Sequence, residues 1–152
     1  FKLNMTPSTQ RQTALAVVAA FNSMDVDSII SHRSPGCMRH ILPSTLKLAP
    51  MNNTEYQTQL QKLIAVFLNF NLTVHDIVED REAHRIVMWL KARADTLVGE
   101  YVNEYMWTLD FDDTGEKIIR QHEFVDTVMK RDFWPKLSAA LKELRKSQME
   151  EE

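Results

Sequence analysis

The stretch Leu72-Thr73-Val74-His75-Asp76-Ile77-Val78, followed across the polar residues 79–83 by Ile86-Val87-Met88-Trp89-Leu90-Lys91-Ala92, decides the fold. Apolar residues recur at every second position, at Leu72, Val74 and Val78 and then at Ile86, Met88, Leu90 and Ala92, the period of strands with one buried face. Two such runs around a polar turn predict a β-hairpin. Gly99 then breaks the chain, residues 100–111 are dense in Tyr, Val, Trp and Leu, and Asp112-Asp113-Thr114-Gly115 turns the chain into residues 117–128. The expectation is an antiparallel meander of four consecutive strands.

Upstream the period is helical. Ala14, Val17, Val18 and Phe21 mark one face of a helix over 8–22, and Asp25, an N-cap type, opens a short second helix presenting Val26, Ile29 and Ile30 until Ser34-Pro35-Gly36. Pro35, Pro43 and Pro50 make 37–51 a loop with at most a short strand over 38–42. Asn52 and Glu55 form a capping-box pair ahead of Tyr56, Leu60, Leu63, Ile64 and Phe67, which predicts a third helix over 53–69. After the strands, Phe133, Leu137, Ala140, Leu141 and Leu144 predict a C-terminal helix that starts at Asp132. Helices set before a curved meander give an α+β domain, with one sheet face buried under helices and the other left for a pocket or a partner. The expected boundaries are one domain over 5–149, a vector-derived remnant over 1–4 ahead of a native start at Met5, and a frayed tail over 150–152.

Composition narrows the function. With 152 residues, 44% hydrophobic, one core is expected, and 18 basic against 21 acidic residues, with no dense basic run, argue against nucleic acid or an anionic membrane surface. No apolar run approaches the roughly twenty residues of a membrane span, so a cytoplasmic protein is expected. Cys37 is the single cysteine, which excludes an internal disulfide framework and carries no nucleophile motif. His32, His40, His75 and His84 lack metal-ligand spacing, and three glycines leave no phosphate-cradling loop, dinucleotide fingerprint or nucleophile elbow. Neither zinc nor nucleotide-dependent chemistry is expected.

Glu104 is the leading acid–base candidate, because it lies mid-strand among Tyr101, Val102, Tyr105, Met106 and Trp107, where an apolar setting would raise its pKa toward neutrality. The alternative is a glutamate facing solvent or a partner and paired with a cation such as Arg93. His122 shares strand parity with Arg120, Phe124 and Asp126, and His75 with Thr73, Ile77 and Glu79, so either could join a carboxyl if its face is the inner one. Glu123 has the opposite parity from Asp126, so the two should not line one cavity. Arg39-His40, before Ile41-Leu42-Pro43, could hold a substrate oxyanion from a loop over the cavity mouth. Arg93 is a substrate-binding candidate whose alternative is an exposed sheet edge. Tyr56, Tyr105, Trp89 and Trp107 could shape an apolar pocket or simply fill the core.

The order of elements, with Arg39-His40-Ile41-Leu42-Pro43, Leu72-Thr73-Val74-His75-Asp76, Gly99-Glu100-Tyr101-Val102-Asn103-Glu104-Tyr105 and Glu123-Phe124-Val125-Asp126, resembles the SnoaL-like polyketide cyclase family of the nuclear-transport-factor-like superfamily, in particular its fungal branch of meroterpenoid-pathway isomerases. The resemblance runs from the first helix to Phe133-Trp134. It implies a cone-shaped barrel of curved antiparallel sheet on three N-terminal helices plus a C-terminal helix, a homodimer joined through sheet faces, and a deep apolar cavity. It also implies an isomerase or cyclase, free of metal and organic cofactor, that rearranges a polycyclic lactone by general acid–base catalysis. By position, Asp126 matches the acidic residue that such cyclases use as acid or base, its alternative being a strand-end turn or N-cap. On this reading Glu104, Asp126, His122 and His75 carry the chemistry, while Arg39, His40, Tyr56, Arg93, Tyr105, Trp107 and Glu123 bind substrate. The rivals are a non-catalytic binding or dimerisation module and a dehydratase or hydrolase of a polyketide pathway. Convergence of several ionisable side chains inside the pocket separates enzyme from module.

Overall fold

The computed structural model describes residues 6–151; the remnant expected over 1–4 lies outside the described residues. Helix α1, Thr9–Asn22, starts where the Ser8 hydroxyl accepts from the Arg11 N–H, and α2, Val26–Ser31, is capped in the same way by Asp25 on Ser28. Strand β1 follows as Arg33–Leu42, then a single 3₁₀ turn, Ser44–Leu46. Helix α3, Asn53–Ile64, carries the full capping box between Asn52 and Glu55. Strands β2 (Leu68–Asp80), β3 (Arg85–Thr96), β4 (Gly99–Phe111) and β5 (Ile118–Val125) form the expected meander, and α4 spans Thr127–Glu150. The sheet order is β1-β5-β4-β3-β2, with β1 parallel to β5 and every other pairing antiparallel.

Several sequence expectations need correction. The segment read as loop up to Met38 is the beginning of β1: Ser34-Pro35-Gly36 lies in an irregular part of an edge strand, where a proline removes no ladder hydrogen bond. Helix α3 ends at Ile64 rather than 69, because the chain turns through Val66 and Phe67 onto Leu63 and enters β2 at Leu68. Helix α4 starts at Thr127, five residues before the expected start at Asp132; Asp126 caps it, and Pro135 sits inside the helix.

The core lies between the helices and one face of the sheet. Ile86, Met88, Leu90, Ala92 and Ala94 from β3 and Trp107, Leu109 and Phe111 from β4 meet Ala14, Val17 and Val18 of α1 and Leu137 of α4. A bulge between Val74 and Asp76 flips the parity of β2, so Ile77 packs on this core and Val78 is 61% exposed, against the alternation read from the sequence. Gly115 closes the β4–β5 turn at φ +75°, where its carbonyl accepts the Thr13 hydroxyl at 2.7 Å and ties the turn to α1. No helix among the described residues is long and apolar enough to cross a membrane.

Candidate active site

A cavity of about 290 Å³ opens between α2, α3 and α4 and the helix-covered face of the sheet, not on the opposite face. Its walls are apolar, built from Phe21, Val26, Ile29, Leu60, Leu63, Phe67, Phe70, Trp107 and Trp134. Strand parity decides which side chains enter it. On β4 the odd positions Tyr101, Asn103, Tyr105 and Trp107 point in, and on β5 Glu123 and Val125 do, whereas Glu104, His122, Phe124 and Asp126 belong to the other set.

The charged centre is a bidentate pair. Arg39 on β1 donates to Glu123 through Nε to Oε1 at 2.8 Å and Nη2 to Oε2 at 2.7 Å. Glu123 is only 1% exposed, and its Oε1 also accepts from Gln121 Nε2 at 2.7 Å. An ionised carboxylate offers about four acceptor sites, so Oε1 is filled and Oε2 keeps one open. Arg39 Nη1 donates to Gln59 Oε1 at 3.0 Å, and Arg39 lies 4.5 Å over the Tyr56 ring. Burial works against the guanidinium charge, yet the facing Glu123 carboxylate holds Arg39 above its ordinary pKa. Burial pushes the Tyr56 phenol up to about 12, so it stays protonated.

A second polar group sits on the same sheet wall, on the neighbouring strand β4. Asn103 Nδ2 donates to the Tyr101 hydroxyl at 2.8 Å, and the Tyr101 and Tyr105 hydroxyls share one hydrogen bond at 2.7 Å. Two phenolic protons serve a single hydroxyl–hydroxyl contact, so one remains for a ligand. Burial raises both phenols, Tyr105 well above the ordinary range, and keeps them as donors at neutral pH. Lys130, in the first turns of α4, completes the lining: its Nζ sits 5.2 Å from the centre of the Trp134 ring, and burial, then Arg39, lower its pKa. The cavity therefore holds one open carboxylate acceptor and one free hydroxyl donor within apolar walls, the minimum set for moving a proton from one substrate atom to another.

The expected site residues divide cleanly. Arg39, Tyr56, Tyr105, Trp107 and Glu123 line the cavity as expected, Arg39 from a strand rather than a loop. Glu104 does not: it is exposed on the outer face and accepts from the Trp89 indole at 3.1 Å, and both side chains line a shallow, open hollow there with Met106, Phe124 and Asp126 instead of the cavity. Asp126 is the N-cap of α4, accepting from the Val128 N–H at 2.9 Å. His122 stacks on His40 at 4.7 Å on the outer face, and burial followed by the neighbouring His40 lowers its pKa. His75 lies exposed beside the β2 bulge against Trp89, its ring 5.0 Å away, so it shares no face with Ile77. Arg93 is an exposed ion-pair partner of Asp95 and Glu100, on an interior strand rather than a sheet edge. Tyr101, Asn103, Gln121 and Lys130 were not singled out from the sequence. The parity Tyr101 shares with Tyr105 and Trp107 was the available signal for it. Among the described residues no group of three His, Cys, Asp or Glu could hold a metal ion.

Comparison with known proteins agrees with this architecture. No family model matches the chain. A SnoaL-like polyketide cyclase from Shewanella denitrificans, 14% identical, shares the fold with a TM-score of 0.67 over 81% of this chain and 94% of that one. The pinacolase BvnE from Penicillium brevicompactum superposes with a TM-score of 0.82 at 29% identity, over 88% of this chain and 96% of that one. The fold class is thus a SnoaL-like domain of the nuclear-transport-factor type. Among curated relatives, austinoid biosynthesis cluster protein H of Aspergillus calidoustus is 36% identical over 128 residues, 82% of this chain and 86% of that protein. Monooxygenase AacuP of Aspergillus aculeatus is 28% identical over 135 residues, 89% of this chain and 93% of that protein. The chain belongs to the fungal SnoaL-like family that includes the austinoid biosynthesis cluster proteins.

Proposed function

We propose that this protein is a cofactor-independent isomerase or cyclase that rearranges a polycyclic lactone or hydroxy-ketone intermediate of a fungal meroterpenoid pathway. The observation that carries the reading is the pairing, inside one apolar cavity, of a carboxylate with an open acceptor site and a phenol pair with a free proton. Glu123 Oε2 removes a proton from a hydroxyl or an acidic carbon. The Tyr101–Tyr105 pair donates a hydrogen bond to the substrate oxygen on which charge develops, and the proton carried by Glu123 returns to a different atom of the product. The net change is zero in mass. Arg39 and Gln121 position the carboxylate. The kinship with the pinacolase BvnE favours a skeletal rearrangement, and the convergence of Arg39, Glu123, two tyrosines and Lys130 favours an enzyme over a binding module.

The second part of the reading is assembly. The outer sheet face carries Trp89, Met106, Ile119 and Phe124, all 43–51% exposed, and a second copy of the chain would cover them as a homodimer. Free, buried Cys37 fits a reducing, cytoplasmic setting. The test is incubation of the protein, with no cofactor added, with a panel of polycyclic lactone and hydroxy-ketone intermediates, followed by mass spectrometry and NMR. A rearranged product of unchanged mass is expected; a product differing by an oxygen atom or by water would refute the isomerase reading.

A further inference from the structure

Charge in and behind the cavity wall does not balance. Arg33 is 5% exposed and meets only neutral partners, Gln121 Oε1 at 2.5 Å and Asn53 Oδ1 at 2.9 Å, with its Nη2 buried and unbonded. Arg39 and Glu123 cancel each other. Lys130 adds a further cation that, among the described residues, has no carboxylate within ion-pair distance; its amine rests on the Trp134 ring at the cavity wall. Among the residues lining the cavity, Arg39, Lys130 and the exposed Lys62 are the cations and Glu123 is the one carboxylate, with Arg33 behind the wall, so positive charge is in surplus beside an apolar chamber where solvent screening is weak. Left uncompensated, such a surplus costs stability; an anionic ligand offsets it.

Building on the cavity as the substrate site, we infer that the ligand of this protein carries an oxyanion, a carboxylate or an enolised 1,3-dicarbonyl, at one end of a polycyclic apolar body, and that Lys130 binds it. The apolar walls receive the ring system, and the ammonium on α4 supplies a charge-assisted hydrogen bond at the edge of the chamber. Lys130 is therefore a specificity-determining residue: it selects acids over their neutral esters.

The experiment is equilibrium binding by calorimetry at pH 7 of a drimane carboxylic acid and of its methyl ester, a pair differing only in the charge. Wild type is expected to bind the acid at least tenfold more tightly. In Lys130→Met the preference should fall below threefold, and in Lys130→Arg it should persist, which separates loss of charge from loss of fold. Equal binding of acid and ester by wild type, or a preference that survives in Lys130→Met, would overturn the inference. Glu123→Gln keeps these outcomes distinct from those of the proposed reaction: it is expected to lose turnover and to bind the acid at least as tightly as wild type does. A lost acid preference in that variant would likewise count against Lys130 as the anion site.

Discussion

Replacing Arg39 by Met should be among the most costly single changes in this protein, and its cost should depend on pH. The substitution keeps most of the side-chain volume but removes both charge-assisted hydrogen bonds, at 2.8 and 2.7 Å, from a carboxylate that is 1% exposed. Breaking a buried ion pair by removing one partner costs about 3–5 kcal/mol, because the remaining charge stays buried. Gln121 still donates to Glu123, and Arg33 stands behind Gln121, so the lower end applies, about 3 kcal/mol. For a domain of this size that corresponds to a Tm loss of roughly 6–12 °C. Without its guanidinium, the Glu123 carboxyl should have a folded-state pKa above its unfolded value of about 4.3. The folded state then binds the extra proton, so the variant is most stable at low pH and loses stability as pH rises through the raised value. Urea unfolding followed by far-UV circular dichroism at pH 5 and pH 8 measures both effects. A loss below about 1 kcal/mol at pH 8, or a loss no smaller at pH 5 than at pH 8, would refute the reasoning.

Other outcomes follow from the same geometry. Asp126→Ala should cost about 1 kcal/mol through the lost N-cap of α4 and leave turnover within twofold of wild type, as read by thermal unfolding and the isomerisation assay. Gly115→Ala should destabilise by at least about 1–2 kcal/mol, since the residue sits at φ +75° and a Cβ there would lie 2.8 Å from the Gln10 nitrogen; a chemical-denaturation midpoint unchanged from wild type would contradict this. Phe124→Asp, on the outer sheet face, should convert a dimer to a monomer in light scattering while leaving the secondary structure intact.

The helix caps and the meander were legible because each depends on local chemistry: Ser8, Asp25 and the Asn52–Glu55 pair cap helices where expected, and the alternation of Ile86, Met88, Leu90 and Ala92 survives as a buried row. What was hidden is non-local. Nothing near Pro35 signals that its strand lies at a sheet edge, where the proline is harmless, beside β5, which begins only at Ile118. The bulge after Val74 likewise shows only in the pairing with β3, yet it turns Ile77 inward and Val78 outward.

The site was half legible for a related reason. Apolar residues surround Glu104 in sequence, but in a strand the immediate neighbours face the other way, so Tyr105 and its odd-numbered partners define the cavity and Glu104 faces solvent. The same parity separates Glu123 from Asp126. The sequence shows that the two acids diverge; only the position of the helices shows that Glu123 is the inward one, facing Arg39 across the β1–β5 pair.

The central claim is that Glu123, not Glu104, moves the proton. The most direct test compares kcat/KM of Glu123→Gln and Glu104→Gln with wild type on one turned-over lactone or hydroxy-ketone, after circular dichroism shows both variants folded. Loss of a general base predicts a decrease of about 10²–10⁴-fold for Glu123→Gln and less than a twofold change for Glu104→Gln. Wild-type activity in Glu123→Gln, or a comparable loss in Glu104→Gln, would contradict the account.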